Sequence, residues 1–247
     1  MSFNNYRLKI PYKIYKTPHD LAEAFARELI NNIKTAADKK KSFTIALSGG
    51  STPRILYSVL AEKSGQAVDW SFVHFFWGDE RCVPPDDAES NFGMVNSGFL
   101  SKIDIPAINI HRIRGEADPS AEAVRYSSEI VSYTRTTGGL PVFDQIILGM
   151  GEDGHTVSIF PSNSEMLCSD NVCEVATHPL TGKKRITITG KVINNSAAVT
   201  FLVTGHSKAG VVEQIFNKGL VFPASCINPS HGRLIWLLDE KAGLFIV

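Results

Sequence analysis

The sequence is poor in the features that mark secreted, membrane and zinc-binding proteins. It has four cysteines in 247 residues, Cys82, Cys168, Cys173 and Cys226, and none forms a C-x-x-C pair that a structural zinc site would need. Scattered cysteines in a chain of this length are typical of a reducing compartment. The apolar runs are too short to cross a bilayer. The first residues lack the apolar core of a signal peptide, so we expect a cytoplasmic protein without membrane contact.

An excess of one charge is also missing. Lys and Arg number 25, and so do Asp and Glu. A balanced chain lacks the basic face that general nucleic-acid binding requires, so we expect no nucleic-acid partner. The 43% of hydrophobic residues suffices for a packed core. No repeat or linker interrupts the chain, and we expect residues 1–247 to form a single domain that is a monomer or a weak homodimer.

Short apolar runs alternate with longer amphipathic stretches. Strands are predicted at Lys13–Tyr15, Phe43–Leu47, Val73–Trp77, Val142–Leu148, Ala197–Val203 and Leu234–Leu238. Helices are predicted at Asp20–Ala37, with Asp20 as N-cap, and at Arg54–Ala61, Asp118–Thr137 and Gly210–Phe216, with an exposed turn at Thr136–Pro141. This alternation predicts an α/β fold, with a Rossmann-like, mostly parallel sheet and helices on both faces.

The first polar cluster, Ser48–Pro53, follows a predicted strand and reads SGGSTP. In parallel α/β folds, ligands bind beyond the carboxyl ends of the strands. Gly49 and Gly50 would let backbone N–H groups approach an anion, and Ser51 and Thr52 add hydroxyl donors at the start of a helix. This pattern favours a phosphate site. The alternative is an ordinary glycine turn with a capping residue.

The second cluster, Gly78–Arg81, reads GDER and is followed by Asn91. Asp79 and Asn91 would orient sugar hydroxyls, and Arg81 would clamp an anion. The alternative is a solvated cluster of charges that pair with each other.

Two further cations, Arg185 and Lys208, stand beside predicted strand or helix ends and would complete a phosphate pocket. Lys208 is at a predicted helix N-terminus, where the helix dipole disfavours a cation unless an anion is bound.

The third cluster, Gly149–Thr156, carries glycines in a G-x-G-x-x-G pattern. The pattern is that of a dinucleotide-binding turn and leaves open a nicotinamide-dependent dehydrogenase, although Pro161 leaves little room for the long helix such a turn requires. The other interpretation is a glycine loop that presents Asp153 and His155 for proton transfer. By spacing, the other histidines singled out have no partners: His74, His111, His178 and His231.

Taken in order, the motifs resemble those of one known family. They read ALSGGSTP, FFWGDERCVP, DQIILGMGEDGHTVSIFP, KRITITG and FLVTGHSKA, and the resemblance runs from about Phe43 to Asp239. This pattern is similar to the glucosamine-6-phosphate deaminase/6-phosphogluconolactonase family, whose fold is NagB/RpiA-like. The resemblance implies hydrolysis of a phosphorylated sugar lactone, 6-phospho-D-glucono-1,5-lactone, in the oxidative pentose phosphate pathway, with no metal and no organic cofactor.

The resemblance also implies roles for particular residues. The histidine of the family's D-G-H motif falls on His155, as general base for water. The glycine loop falls on Gly49, Gly50, Ser51 and Thr52, around the phosphate. Arg81, Arg185 and Lys208 would serve the phosphate or the developing oxyanion.

Two alternatives within this fold remain open. The related deaminases usually carry L-D-E-Y where this chain has Gly78–Arg81, and F-N-E-P after D-G-H. Here Phe160 precedes Pro161, so the glutamate that assists ring opening in a deaminase is missing. A non-catalytic sugar-phosphate sensor would keep the loop and the cations and could lose the base.

Overall fold

A computed structural model describes residues 10–64 and 68–246. Its central sheet has six parallel strands in the order β1-β11-β10-β7-β2-β3, namely Tyr12–Tyr15, Arg233–Asp239, Ala198–Val203, Gln145–Leu148, Phe43–Leu47 and Val73–Trp77. The α-helices α1 to α6 are Pro18–Asp38, Ser51–Ser64, Asn91–Gly98, Pro119–Tyr133, Gly190–Asn194 and Ala209–Phe216. Within the described ranges, no helix is both long and apolar enough to cross a membrane.

The other strands of the described residues form two small antiparallel sheets. One has the order β4-β9-β8 and consists of Asp79–Arg81, Lys184–Ile188 and Cys173–Thr177. The other pairs β5, Arg135–Thr137, with β6, Leu140–Val142.

The central strands are apolar because both faces of the sheet are covered. Every residue of β2 and of β7 is buried, as expected for a parallel sheet between helices. The connections from β1 to β2 and from β2 to β3 run one way along the sheet, and those from β3 through β7 and β10 to β11 run the other way. Right-handed crossovers therefore place helices on both faces, which confirms the predicted fold class.

The direction of winding changes between β2 and β7, which are neighbours in the sheet. Loops that leave two such strands diverge to opposite faces and open a crevice at the carboxyl edge. The glycine loop after β2 and the GMGEDGH loop after β7 both start at this point.

The prediction of Asp20 as the N-cap of α1 is wrong. Thr17 is the N-cap, and its side chain accepts a hydrogen bond from the backbone N–H of Asp20 at 3.1 Å. Pro18 occupies the first helical turn, where its missing N–H is not needed. The helix α2 begins at Ser51, three residues before the predicted start at Arg54.

The prediction of a helix over Asp118–Thr137 followed by an exposed turn is wrong at its C-terminal end. The helix α4 ends at Tyr133, and Arg135–Thr137 then pairs with Leu140–Val142 as a hairpin. Gly138 and Gly139 form its turn with φ of +60° and +79°. Two left-handed residues are what a two-residue hairpin turn requires.

His74 and His111 are partnered, contrary to the expectation from spacing. The Nδ1 of His74 is 2.9 Å from the Nε2 of His111, and the Nδ1 of His111 is 2.7 Å from an oxygen of Glu129. Burial lowers the pKa of both histidines. Neither of these histidines lines the cleft described below.

Candidate active site

A cleft of about 230 Å³ opens at the carboxyl edge of the sheet. Its walls include ten of the predicted site residues: Gly49, Gly50, Ser51, Thr52, Asp79, Arg81, Asn91, His155, Arg185 and Lys208. The eleventh, Asp153, is hydrogen-bonded to His155. A volume below the ~300 to 1,000 Å³ of drug-sized sites fits a small polar molecule better than a dinucleotide.

The loop after β2 is held open by its neighbours. The hydroxyl of Tyr57 donates to the carbonyl of Ser48 at 2.7 Å, and the Ser48 hydroxyl donates to the carbonyl of Ile147 at 2.7 Å. Gly50 has φ of +106°, which turns the chain into α2 at Ser51. The N–H groups of a first helical turn have no intrahelical acceptor, and the dipole adds positive potential. This helix start is therefore suited to an anion.

Asn91 and Asp79 form the wall beside this loop. Asn91 is 1% exposed, and its Nδ2 donates to the carbonyl of Asp79 at 2.8 Å. Its Oδ1 has no hydrogen-bond partner among the described residues. A Cβ at Gly49 would overlap this amide, so glycine is required there. Asp79 accepts a hydrogen bond from the Ser158 hydroxyl at 2.6 Å, which fixes its carboxylate at the cleft.

Glu80 faces away from the cleft and has a structural role. It is 2% exposed, and its carboxylate accepts hydrogen bonds from three backbone N–H groups, those of Asn91 at 2.7 Å, Phe92 at 2.7 Å and Arg81 at 2.9 Å. Burial raises the pKa of Glu80, and the N–H donors oppose this by stabilising its charge. Glu80 thus caps the start of α3 and anchors Asn91.

We expect Glu80→Gln to lower the free energy of unfolding by about 2 to 3 kcal/mol. The amide NH₂ of glutamine cannot accept a hydrogen bond, so at least one of the backbone N–H groups that now bind the Glu80 carboxylate would lose its acceptor. Urea unfolding measures the change. Glu89→Gln is the control, since Glu89 is exposed and pairs only with Lys183 among the described cations; it should stay within about 0.5 kcal/mol of the native protein. Native stability in Glu80→Gln would contradict the capping role.

Arg81 and Arg185 lie directly opposite each other on β4 and β9. Like charges in that position repel. The Nε of each guanidinium is buried without a hydrogen-bond partner in the described chain. Arg81 also donates to the carbonyl of Glu89, and Arg185 is 3.9 Å from Asp79. Burial lowers the pKa of Arg185. Anionic groups of a bound ligand would satisfy both arginines.

Lys208 lies in another wall of the cleft, directly before α6 as predicted. Its ammonium is 4.0 Å from Glu152. Burial lowers the pKa of Lys208, and the charges of Glu152 and Asp153 oppose this. A hydrogen bond of 2.7 Å between the hydroxyls of Thr52 and Thr204 joins this wall to the loop after β2.

His155 and Asp153 form a pair at the loop after β7. The Nδ1 of His155 is 2.5 Å from Oδ1 of Asp153. Partial burial works to raise the pKa of Asp153, but its interactions with His155 outweigh this and hold it below the usual value. An ionised Asp153 accepts a hydrogen bond from the N–H at Nδ1, which leaves Nε2 without a proton and able to accept one from water.

The glycines of this loop do not open a helix, as a dinucleotide-binding turn would. The N–H of Gly151 donates to the carbonyl of His155 at 2.9 Å, so the loop folds back on itself. Gly154 has φ of +78° and packs under Phe222. A tight turn over 156–159 follows, with Val157 at φ of +45°. The loop geometry therefore contradicts the dinucleotide-binding interpretation.

Residues that the sequence did not assign to the site include Ser158, Val157 and Phe160. Ser158 orients Asp79, Val157 lines the cleft, and Phe160 packs against His155. The only feature of the sequence that could have indicated these residues is the apolar run after the D-G-H motif. The contacts of that run depend on chain segments that are far away in sequence.

The comparisons with known proteins agree with these motifs. The family described as glucosamine-6-phosphate isomerases/6-phosphogluconolactonase matches residues 16–236. A Haemophilus influenzae protein named 6-phosphogluconolactonase is 44% identical over 202 residues, covering 80% of this chain and 85% of that one. A Treponema pallidum protein of the same name is 39% identical over 225 residues, covering 91% and 90%.

A solved structure has the same fold over nearly the whole chain. The crystal structure described as devB protein has a TM-score of 0.91 and 40% identity, covering 96% of this chain and all of that one. By sequence match and by fold, the chain belongs to the glucosamine-6-phosphate isomerase/6-phosphogluconolactonase family.

Proposed function

We propose that this protein is a hydrolase that opens 6-phospho-D-glucono-1,5-lactone to 6-phospho-D-gluconate, the lactonase step of the oxidative pentose phosphate pathway. The observation that carries the proposal is the His155–Asp153 pair in the same cleft as a helix N-terminus and three cations. The names of the relatives support the same reaction.

Substrate binding begins with the phosphate. It docks on the backbone of the Gly49–Thr52 loop, with Arg185 and Lys208 neutralising its charge. The carboxylate of Asp79 and the Oδ1 of Asn91 accept hydrogen bonds from the sugar hydroxyls. Binding energy from the non-reacting phosphate then holds the lactone carbonyl near His155.

Hydrolysis proceeds by general base catalysis. The Nε2 of His155 takes a proton from water, and the water oxygen attacks the lactone carbonyl carbon. Arg81 or a backbone N–H stabilises the oxyanion of the tetrahedral intermediate. The carbonyl then reforms, the bond to the ring oxygen breaks, and His155 returns the proton to that oxygen. Asp153 holds the imidazole throughout, and water is the only co-reactant.

The chemistry of the cleft favours a lactonase over the alternatives. A deaminase must open the sugar ring and move a proton between carbons, and here a buried phenylalanine, Phe160, stands where the deaminases carry an assisting glutamate. A sensor has no need of a hydrogen-bonded histidine and carboxylate facing the ligand.

The first experiment measures opening of lactone generated freshly from glucose-6-phosphate, with the spontaneous rate subtracted. Ammonia release from glucosamine-6-phosphate is followed in parallel. Fast lactone opening without ammonia supports the proposal. Ammonia release without lactone opening would assign the protein to deamination, and neither activity would favour a sensor.

We expect Arg185→Ala and Lys208→Ala to raise KM by about 10- to 100-fold, with a smaller change in kcat, because each removes a charge-assisted hydrogen bond to the phosphate worth ~1.5 to 3 kcal/mol. Initial rates against lactone concentration measure both constants. Lys183→Ala is the control, because Lys183 is exposed and pairs with Glu89. An unchanged KM in both variants would contradict the phosphate role.

A further inference from the structure

Phe160 is an apolar residue surrounded by the ionisable groups of the site. Its ring is 1% exposed. The ring centroid is 4.7 Å from that of His155 and 5.1 Å from that of His178, and the guanidinium carbon of Arg185 lies over the ring at 5.5 Å. One ring thus contacts both the base and an anion-binding arginine.

The backbone around Phe160 fixes the position of this ring. The preceding turn is closed by hydrogen bonds between Thr156 and Ile159, at 2.9 and 3.3 Å. The N–H of Phe160 donates to Oδ1 of Asn163 at 2.5 Å, at the start of the 3₁₀ helix Pro161–Leu167. The backbone that carries the ring is therefore fixed on both sides, by the main chain of the preceding turn and by the side chain of Asn163, independently of any ligand.

The contact with His155 restricts the imidazole. Asp153 holds Nδ1 by a hydrogen bond, but a single bond leaves the ring free to rotate about it. Phe160 packs against the imidazole at an interplanar angle of 49° and removes that freedom. The Nε2 position then stays constant relative to the cleft, which proton transfer requires.

The contact with Arg185 restricts the guanidinium in the same way. The aromatic face attracts the cation without using any of its N–H donors. The Nη groups stay available for an anion, with Asp79 at 3.9 Å as the nearest carboxylate partner.

We propose that Phe160 is a positioning residue that couples proton transfer to anion binding: its ring holds His155 against Asp153 and holds Arg185 toward the cleft. The part concerning His155 rests on the proposed function, and the part concerning Arg185 does not. Loss of the ring should therefore weaken both turnover and phosphate binding, although Phe160 itself does not line the cleft.

The test compares Phe160→Leu, which keeps a buried apolar side chain but removes the ring, with Phe160→Tyr, which keeps the ring. We expect Phe160→Leu to lower kcat by about 10- to 100-fold, because misplacement of a catalytic group by ~1 Å has effects of this size. Its affinity for inorganic phosphate, measured by calorimetry, should fall at least threefold. Phe160→Tyr should keep both within threefold of the native protein.

Phe143→Leu is the matched control. Phe143 is 0% exposed and packs on Phe76 away from the cleft, so its loss destabilises the fold without touching the site. Urea unfolding shows whether the two leucine variants are equally stable. If Phe160→Leu does not fold, Phe160→Met gives the same comparison.

Native kcat and native phosphate affinity in a folded Phe160→Leu would overturn the proposal, and so would equal losses in Phe143→Leu. If the native protein opens no lactone but binds inorganic phosphate with an affinity that falls in Phe160→Leu, the lactonase assignment is overturned and the effect of Phe160 on Arg185 still holds.

Discussion

Replacing His155 by alanine is expected to lower kcat by about 100- to 10,000-fold, the range that general base catalysis contributes. The stability should change by less than about 1 kcal/mol, because the side chain is partly exposed and the fold of its loop depends on backbone groups. KM should change little, since the phosphate contacts lie elsewhere in the cleft.

The measurement is initial-rate lactone opening, corrected for the spontaneous reaction, together with urea unfolding of the same preparations. His206→Ala is the control, because His206 is an exposed histidine two residues before Lys208 and does not itself line the cleft. It should keep native kcat. Near-native turnover in His155→Ala would remove the general base from the proposed mechanism.

The position of the cleft follows from the sequence to a large extent. The strands β2, β3, β7 and β10 are almost entirely buried and contain one polar residue each, so they read as apolar runs whose ends are visible. Parallel strands share one carboxyl edge, and the polar clusters after these strands therefore converge. For this reason, the clusters that contain Gly49–Thr52, Asp79, His155 and Lys208 are expected to meet in one cleft, whereas Arg185 follows none of these strands and the roles of single residues come from the family resemblance.

The contacts within the cleft do not follow from the sequence. Arg81 and Arg185 meet because β4 pairs with β9, and a strand of three residues gives almost no signal of its own. Ser158 reaches Asp79 from a separate segment of the chain. Such pairs are set by the packing of the second sheet against the first, and local patterns do not contain that information.

The errors at helix ends and turns have a more local cause. Thr17 and Asp20 are both good N-cap residues, and the choice between them depends on where Pro18 starts the helix. The hairpin after α4 was predicted as helix and turn because its strands are only three residues long and the first of them, Arg135–Thr137, is polar and exposed. In both cases the local sequence is compatible with two conformations.

Gly151→Ala is expected to reduce kcat by about 100-fold or more, because the new methyl group would displace His155. A misplacement of a catalytic group by ~1 Å has effects of this size on the rate. A Cβ at position 151 would overlap the imidazole of His155 and the carboxylate of Asp153. The loop cannot absorb the methyl group easily, because the N–H of Gly151 is bonded to the carbonyl of His155. The expected loss falls on kcat rather than on phosphate binding.

Gly149→Ala is the matched control for this change. It lies in the same loop, and a Cβ there would meet nothing within 4 Å. The variant should keep kcat within about threefold of the native value, and any effect of the added methyl group should appear in KM, because Gly149 lines the cleft. Equal kcat values in Gly151→Ala and Gly149→Ala would contradict the requirement for a fixed His155–Asp153 pair. A large loss confined to position 151 would tie catalysis to the placement of that pair, because the two variants differ only in whether the new methyl group reaches it.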